Sequence, residues 1–325
     1  MSSKCTAEAV ISSLPLAFDR AVESKDVLFY PSTINTYPES GVEFEIRLCP
    51  ALQHKPAQPV SHSDEVSEKH DPFCGPFGEN LVGEIVDEEE GERYVVLLNR
   101  FCVVPHHFLL VTKDFKSQTA PLFPSDLVQV YLFLQAAQKR GRIFFAFYNC
   151  GDLSGASQPH KHVQLFPLDE SASAPPMDLL MHICSLGTKD EVFSLDMPYA
   201  NHVFRFPRSL ASASRESLED TLVHAYHTLY DLGVSTARRV PEFPAKNLSY
   251  NVIITLEHMH FIPRSQESHR LQTGELLSVN ALGYAGMLLV KSDAQLEQVK
   301  SEGIANILRA VGLENIPPEE PAQDS

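Results

Sequence analysis

Apolar positions recur at helical spacing near the start of the chain, and the segment from Thr6 to Ser24 predicts an amphipathic helix. The period then changes to two. Val42, Phe44, Ile46 and Leu48 alternate with polar residues and predict a strand over Val42–Leu48. From Gln53 to Pro72 proline, serine, histidine and charge replace the apolar pattern, so an exposed loop, able to act as a mobile lid, is expected. Tyr94–Leu98 and Phe108–Thr112 are apolar runs joined by the turn-rich Asn99–His107, the pattern of an antiparallel hairpin. A helix follows, with Ser125 at its N-cap, Asp126 in its first turn, Leu127, Val130, Tyr131 and Leu134 on one face, and Gly141 at its end. Ile143–Tyr148 reads as a buried strand, Asn149–Pro159 as a Gly/Ser-rich loop and His160–Phe166 as another strand.

The second half opens on a Ser/Ala/Pro connector, Asp169–Pro176. It continues with a helix from Ser214 to Leu232, strands over Leu248–Leu256 and His258–Ile262, and short apolar segments at Glu275–Val279 and Ala285–Val290. A single terminal helix is expected over Asp293–Val311. Strands that follow one another without regular helix alternation predict an α+β fold. One catalytic domain spans 1–316, with the 53–72 loop inside it and a disordered acidic tail at 317–325.

Composition narrows the function. The 325 residues, 43% of them hydrophobic, suffice for a full core. A formal charge of -16 excludes a nonspecific nucleic-acid or anionic-membrane surface, because both need a basic field. No stretch approaches the roughly 18 apolar residues of a membrane span, and the first residues lack a signal-peptide run. A cytoplasmic location is expected. Six cysteines without a C-x-x-C pair suggest reduced, mostly buried thiols.

The chemistry concentrates in Asn149-Cys-Gly-Asp-Leu-Ser-Gly-Ala-Ser-Gln-Pro-His-Lys-His-Val-Gln164. On a strand His160, His162 and Gln164 share one face, while Val163 and Leu165 take the other. Two imidazoles at this spacing also suit a half-exposed strand or a zinc pair, but no third ligand lies at a recognisable interval nearby. The preceding Gly151, Ser154, Gly155 and Ser157 can form an anion-binding nest. A second H-x-H, His258-Met-His260, reads as an echo of the first in a duplicated half-fold or as a strand edge without chemical role. The absence of a neighbouring Ser/Gly loop and glutamine favours the edge. His106-His107 reads as packing or capping, and Asp87–Glu90 as a solvated turn.

The loop followed by H-x-H-x-Q resembles the histidine-triad superfamily. The likeness is to the branch in which glutamine replaces the third histidine, as in galactose-1-phosphate uridylyltransferases. Val104-Pro-His-His-Phe-Leu-Leu-Val-Thr-Lys113 is similar to that fold's first hairpin. Leu98-Asn-Arg-Phe101 and Ser278-Val-Asn-Ala-Leu-Gly-Tyr-Ala-Gly-Met-Leu-Leu-Val-Lys291 narrow the likeness to the fungal diadenosine tetraphosphate (Ap4A) phosphorylases, also called ATP adenylyltransferases. The resemblance implies a histidine-triad-like antiparallel sheet with flanking helices. It also implies reversible conversion of Ap4A and phosphate to ADP and ATP through a covalent AMP-histidine.

His162 is then the nucleophile, its tautomer fixed by the His160 backbone carbonyl, and Gln164 a hydrogen-bond donor to a nonbridging phosphate oxygen. Glutamine cannot act as a general acid, which suits transfer to phosphate rather than hydrolysis. The resemblance further implies phosphate contacts from Lys55, Asn99, Arg100, Asn149, Leu153, Ser154, Gly155, Ala156 and Ser157. Asn280, Ala281, Leu282, Met287 and Lys291 would enclose the second nucleotide or its phosphates. The implied partners are dinucleoside polyphosphates, ATP, ADP, phosphate and adenosine phosphosulfate. A divalent cation such as Mg²⁺ would travel with the substrate phosphates, with no metal held by the protein. Lys161 stands where uridylyltransferases have proline, which favours the phosphorylase over a sugar-1-phosphate nucleotidylyltransferase. Intact His162 and Gln164 argue against a nucleotide-binding module without turnover.

Overall fold

The computed structural model describes residues 5–54, 71–187, 190–241, 243 and 247–315, so most of the expected lid loop, including Lys55, and the acidic tail lie outside the described residues. A nine-stranded sheet, antiparallel throughout, organises the rest. Its order is Val192–Phe193, His202–Arg205, His258–Pro263, Tyr250–Ile254, Phe144–Cys150, His162–Pro167, Phe108–Thr112, Arg93–Leu98 and Leu81–Val86. The fold is α+β, as expected.

The sheet consists of two halves with one topology. In the first, the strands Arg93–Leu98 and Phe108–Thr112, the helix Pro124–Lys139, and the strands Phe144–Cys150 and His162–Pro167 follow in sequence. In the second, Val192–Phe193, His202–Arg205, the helix Arg215–Arg239, Tyr250–Ile254 and His258–Pro263 repeat that succession. Each half has the spatial order first, second, fourth, third. The halves meet where Phe144–Cys150 pairs Tyr250–Ile254, with Phe147 opposite Ile253.

Both faces are covered, which is why Phe144–Cys150 and Tyr250–Ile254 are buried at every position and read as apolar runs interrupted only by Asn149 and Asn251. One face packs on three helices, Ala7–Glu23, Pro124–Lys139 and Arg215–Arg239, through Leu14, Phe133, Leu222, Val163 and Leu165 among others. The other packs on the helix Pro176–Leu186, the C-terminal helices, and a small sheet in which Met287–Val290 runs parallel to Val42–Leu48. Burying one such leucine or valine contributes about 1.5–3 kcal/mol.

Several expected boundaries move for identifiable reasons. The helix read from Ser125 begins at Pro124, because Asp126 accepts the Phe123 backbone N–H at 2.8 Å and Pro124 suits a first helical position. The expected terminal helix breaks at Gly303, whose φ of 82 belongs to the left-handed region. Glu39 caps the restart, accepting from the Ile304 and Ala305 N–H groups at 2.6 and 3.2 Å. The helix from Ser214 runs on to Arg239 instead of ending near Leu232.

Asp87 corrects the reading of a solvated turn. It is fully buried and accepts from Arg215 at 2.7 Å and Gln129 at 3.0 Å. His258-Met-His260 is not at an edge either: its strand pairs on both sides and holds the fourth place in the second half, as His162–Pro167 does in the first. The topology therefore supports the echo of a duplicated half-fold. His260 lies in the interior with both ring nitrogens unpartnered, and burial pushes its pKa down to about 3.

Candidate functional site

His162 opens its strand and is 3% exposed. Its backbone N–H donates to Gln118 Oε1 at 2.8 Å, and its ring Nδ1 lies 2.8 Å from the His160 carbonyl oxygen. A carbonyl only accepts, so Nδ1 carries the proton and Nε2 holds the lone pair. Burial pushes the His162 pKa down to about 4, against the smaller upward effect of the His160 carbonyl. The ring is therefore neutral near pH 7, with Nε2 free of a proton.

His160 serves as the support. It is completely buried, with Nδ1 2.7 Å from Asp71 Oδ2 and Nε2 2.8 Å from the Thr112 carbonyl. Phe73 lies against both imidazoles, with centroid distances of 5.9 Å to His160 and 5.2 Å to His162. Among the described residues, Asp71, Cys74 and His160 form the group whose composition could hold a metal, their ligand atoms lying within 4.8 Å of one another. Asp71 bonds both partners directly, and His162 takes no part. Asp71 and Cys74 come from almost ninety residues upstream of His160, so local spacing had not revealed them.

The strands carrying Asn149 and His162 pair only as far as Phe147 and Gln164, then diverge. Gln118 fills the gap: its Nε2 donates to the Asn149 carbonyl at 2.7 Å and, more weakly, to the His162 carbonyl at 3.3 Å. Asn149 stands on the face of Phe147 and hence of Gln164. Its Oδ1 accepts from Asn251 Nδ2 at 2.8 Å and from the Ala281 N–H at 3.0 Å. Both bonds fix the carboxamide, and its buried Nδ2 is left without a partner. Such a group suits an anionic ligand.

The Ser/Gly loop is braced from behind. The Leu153 N–H donates to Ser249 Oγ at 3.1 Å, Ser154 Oγ donates to the Gly151 carbonyl at 2.6 Å, and Arg264 donates to the Ser154 carbonyl at 3.2 Å. Gly155 has φ 78, and a Cβ there would lie 2.6 Å from the Val279 carbonyl and 2.9 Å from Asn280 Cβ. The loop thus touches the C-terminal segment. Ala156 is buried and Ser157 exposed. Asn280 caps the short helix Ala281–Tyr284 by accepting the Leu282 N–H at 3.0 Å.

The remaining expected residues are more scattered. Arg100 is exposed, its guanidinium 5.8 Å from the Phe101 ring centre. Met287 is 4% exposed and packs in the core beneath the sheet. Lys291 follows that strand, exposed, and its carbonyl accepts from Gln53 Nε2 at 2.6 Å. Gln53 is two residues before Lys55, which itself lies outside the described residues.

Lys161 points to the opposite face. Its ammonium is 1% exposed, pairs with Asp126, donates to the Pro121 carbonyl at 2.7 Å and lies 4.2 Å from the Phe123 ring centre. A buried, paired lysine here ties the strand bearing His162 to the start of the helix Pro124–Lys139. Sequence reasoning missed Gln118, Asp71, Phe73 and Asn251, and assigned His107 to packing. For His107 alternation was a usable signal, since it shares a face with Leu109 and Val111, and Val111 stands opposite His162.

Two family models divide the chain. The Ap4A phosphorylase N-terminal domain matches residues 2–183, and the ATP adenylyltransferase C-terminal domain matches 195–314. The chain is 32% identical to diadenosine 5',5'''-P1,P4-tetraphosphate phosphorylase 2 of Saccharomyces cerevisiae, over 82% of this chain and 81% of that protein. It is 28% identical to Protein APA1 of the same yeast, over 87% of each. The crystal structure of yeast Ap4A phosphorylase Apa2 superposes with a TM-score of 0.77 at 27% identity, covering 98% of this chain and all of that one. The same enzyme in complex with Ap4A gives 0.74 at 26% identity, with the same coverage. The chain belongs to the Ap4A phosphorylase (ATP adenylyltransferase) family.

Proposed function

We propose that this protein is an Ap4A phosphorylase and, in reverse, an ATP adenylyltransferase. The observation that carries the reading is the fixed tautomer of His162: Nδ1–H is held by the His160 carbonyl, and Nε2 is free to attack. The yeast relative whose structure contains Ap4A supports the choice of substrate.

In the first step the Nε2 lone pair forms a bond to an α-phosphorus of Ap4A. The bond from that phosphorus to the bridging oxygen breaks, and ATP leaves with the electron pair. Nδ1 keeps its proton throughout, so the positive charge of the adenylylated ring rests on the His160 carbonyl. In the second step an oxygen of inorganic phosphate attacks, the P–N bond breaks, and ADP leaves a neutral His162. Gln164 and Asn149 supply amide donors where charge develops on the nonbridging oxygens. Mg²⁺ or a similar ion enters with the polyphosphate, and adenosine phosphosulfate is a further adenylyl donor of the same chemistry.

The test is to incubate the protein with Ap4A, with and without phosphate. Without phosphate, protein bearing one AMP accumulates, labile in acid and stable in base. Phosphate discharges it as ADP, and a chelator suppresses both steps. AMP as the main product at saturating phosphate would overturn the reading in favour of a hydrolase.

A further inference from the structure

We propose that His107 is a positioning residue that orients the Gln164 carboxamide, so that Gln164 presents its nitrogen rather than its oxygen to the phosphoryl group at His162. The proposal rests on the phosphorolysis reading above.

The geometry begins with the sheet register. Phe108 pairs Leu165 and Leu109 pairs Gln164, so His107, one residue earlier, stands diagonally beside Gln164 on the same face. It is 4% exposed, with its ring 5.2 Å from that of Phe166 and 6.2 Å from that of Phe147. The site allows one tautomer. Asn99 Oδ1 accepts the Phe101 N–H at 3.2 Å, which turns Asn99 Nδ2 toward His107 Nδ1 at 3.1 Å. An amide nitrogen only donates, so His107 Nδ1 accepts and Nε2 carries the proton.

That Nε2–H is sealed from solvent and has no hydrogen-bond partner at normal distance. A buried donor left unpaired forfeits the hydration it had in the unfolded chain and gains nothing in return. The polar side chain facing it is Gln164, close enough to oppose in part the burial that pushes the His107 pKa down to about 3. The ring stays neutral and its proton fixed. A small closure of Gln164 onto Nε2–H engages Oε1, which leaves both amide hydrogens aimed into the site. Catalytic hydrogen bonds commonly tighten in this way when substrate enters. Without His107 the carboxamide is free to flip and offer lone pairs to a negative oxygen.

A double-mutant cycle tests the link, with kcat and KM for Ap4A phosphorolysis measured in wild type, His107→Phe, Gln164→Ala and the double variant. His107→Phe is expected to lower kcat about ten- to a hundredfold with little change in KM, and to cost less than about threefold once Gln164 is gone. Equal losses in both backgrounds, or wild-type kcat in His107→Phe, overturn the proposal. Should the phenylalanine variant fail to fold, His107→Gln and His107→Asn replace it. Only glutamine reaches the Nε2 position with a donor, and equal kcat in these two overturns the proposal. ¹⁵N NMR of the ring is independent of turnover: a proton on Nε2 is expected, and one on Nδ1 sinks the assignment even if phosphorolysis is intact. Wild-type protein that does not phosphorolyse Ap4A, with the Nε2–H tautomer present, refutes the functional reading instead.

Discussion

Gln118 holds His162 by its backbone, accepting the N–H at 2.8 Å while its own amide nitrogen bonds the Asn149 carbonyl at 2.7 Å. One carboxamide thus replaces the ladder bonds that the diverging strands forgo. Gln118→Leu strands a buried donor and a buried acceptor, each worth about 1–3 kcal/mol. A lower urea midpoint is expected, with kcat falling more than KM changes. An unaltered midpoint and kcat would show that the bridge is dispensable.

His162→Ala is expected to reduce phosphorolysis on the order of a thousandfold or more while the folded state persists, because the lost group is the proposed nucleophile. The circular dichroism spectrum and melting profile check the fold. Restoring transfer in His162→Gly with an adenosine phosphoimidazolide would place the chemistry at that position. Activity near wild type in a folded alanine variant excludes the assignment.

Acid is expected to destabilise the fold in a particular window. His107, His162 and His260 have pKa values pushed down by burial to about 3, 4 and 3, below the ordinary 6.5. A histidine depressed in the folded state binds its proton preferentially when unfolded. Its contribution is whole above pH 6.5 and is lost as pH falls through the folded pKa. Each adds a slope of about 1.4 kcal/mol per pH unit across that interval. Urea midpoints at several pH values should drop from pH 6.5 toward 4, and His260→Leu should flatten the trend. An equally steep trend in that variant would count against the account. The acid limb of kcat should fall nearer pH 4 than 6.5, since His162 stays neutral until then.

Gly155→Val should weaken substrate binding. The added Cβ falls 2.6 Å from the Val279 carbonyl on a backbone with φ 78, so either the loop or the Asn280 segment must shift. KM for Ap4A is expected to rise about tenfold or more, with a loss of stability of about 1–3 kcal/mol. Unchanged KM would mean that the loop and the C-terminal segment act independently.

The pattern of alternation was enough to place His162, Gln164 and Val163 on their correct faces, and to find the hairpin and the two long helices, because these depend on local periodicity. What it lacked was distance. Asp71 reaches His160 across 89 positions and Gln118 reaches His162 across 44, and neither has a spacing that marks it. Asp87 was misread because an acidic turn looks the same whether or not an arginine 128 residues later neutralises it. His258-Met-His260 was misjudged through its missing glutamine and loop, whereas its position in the sheet depends on pairing with strands on either side. Gly303 failed as a stop signal for the opposite reason: apolar periodicity continued through it, while Glu39, from another sheet, supplied the cap.

The bond from the Ala281 N–H to Asn149 Oδ1 joins residues 132 positions apart, and it helps fix which way the Asn149 amide nitrogen faces. During synthesis the strand bearing His162 therefore emerges long before the groups that lock Asn149. A growing chain that has not reached residue 251 carries His162 beside an amide still free to turn either way, and the second of the two bonds that fix it waits for residue 281. Synthesis thus delivers His162 first and completes the clamp on Asn149 more than a hundred residues later, so the site as a whole is assembled by the nearly finished chain and not by its N-terminal half.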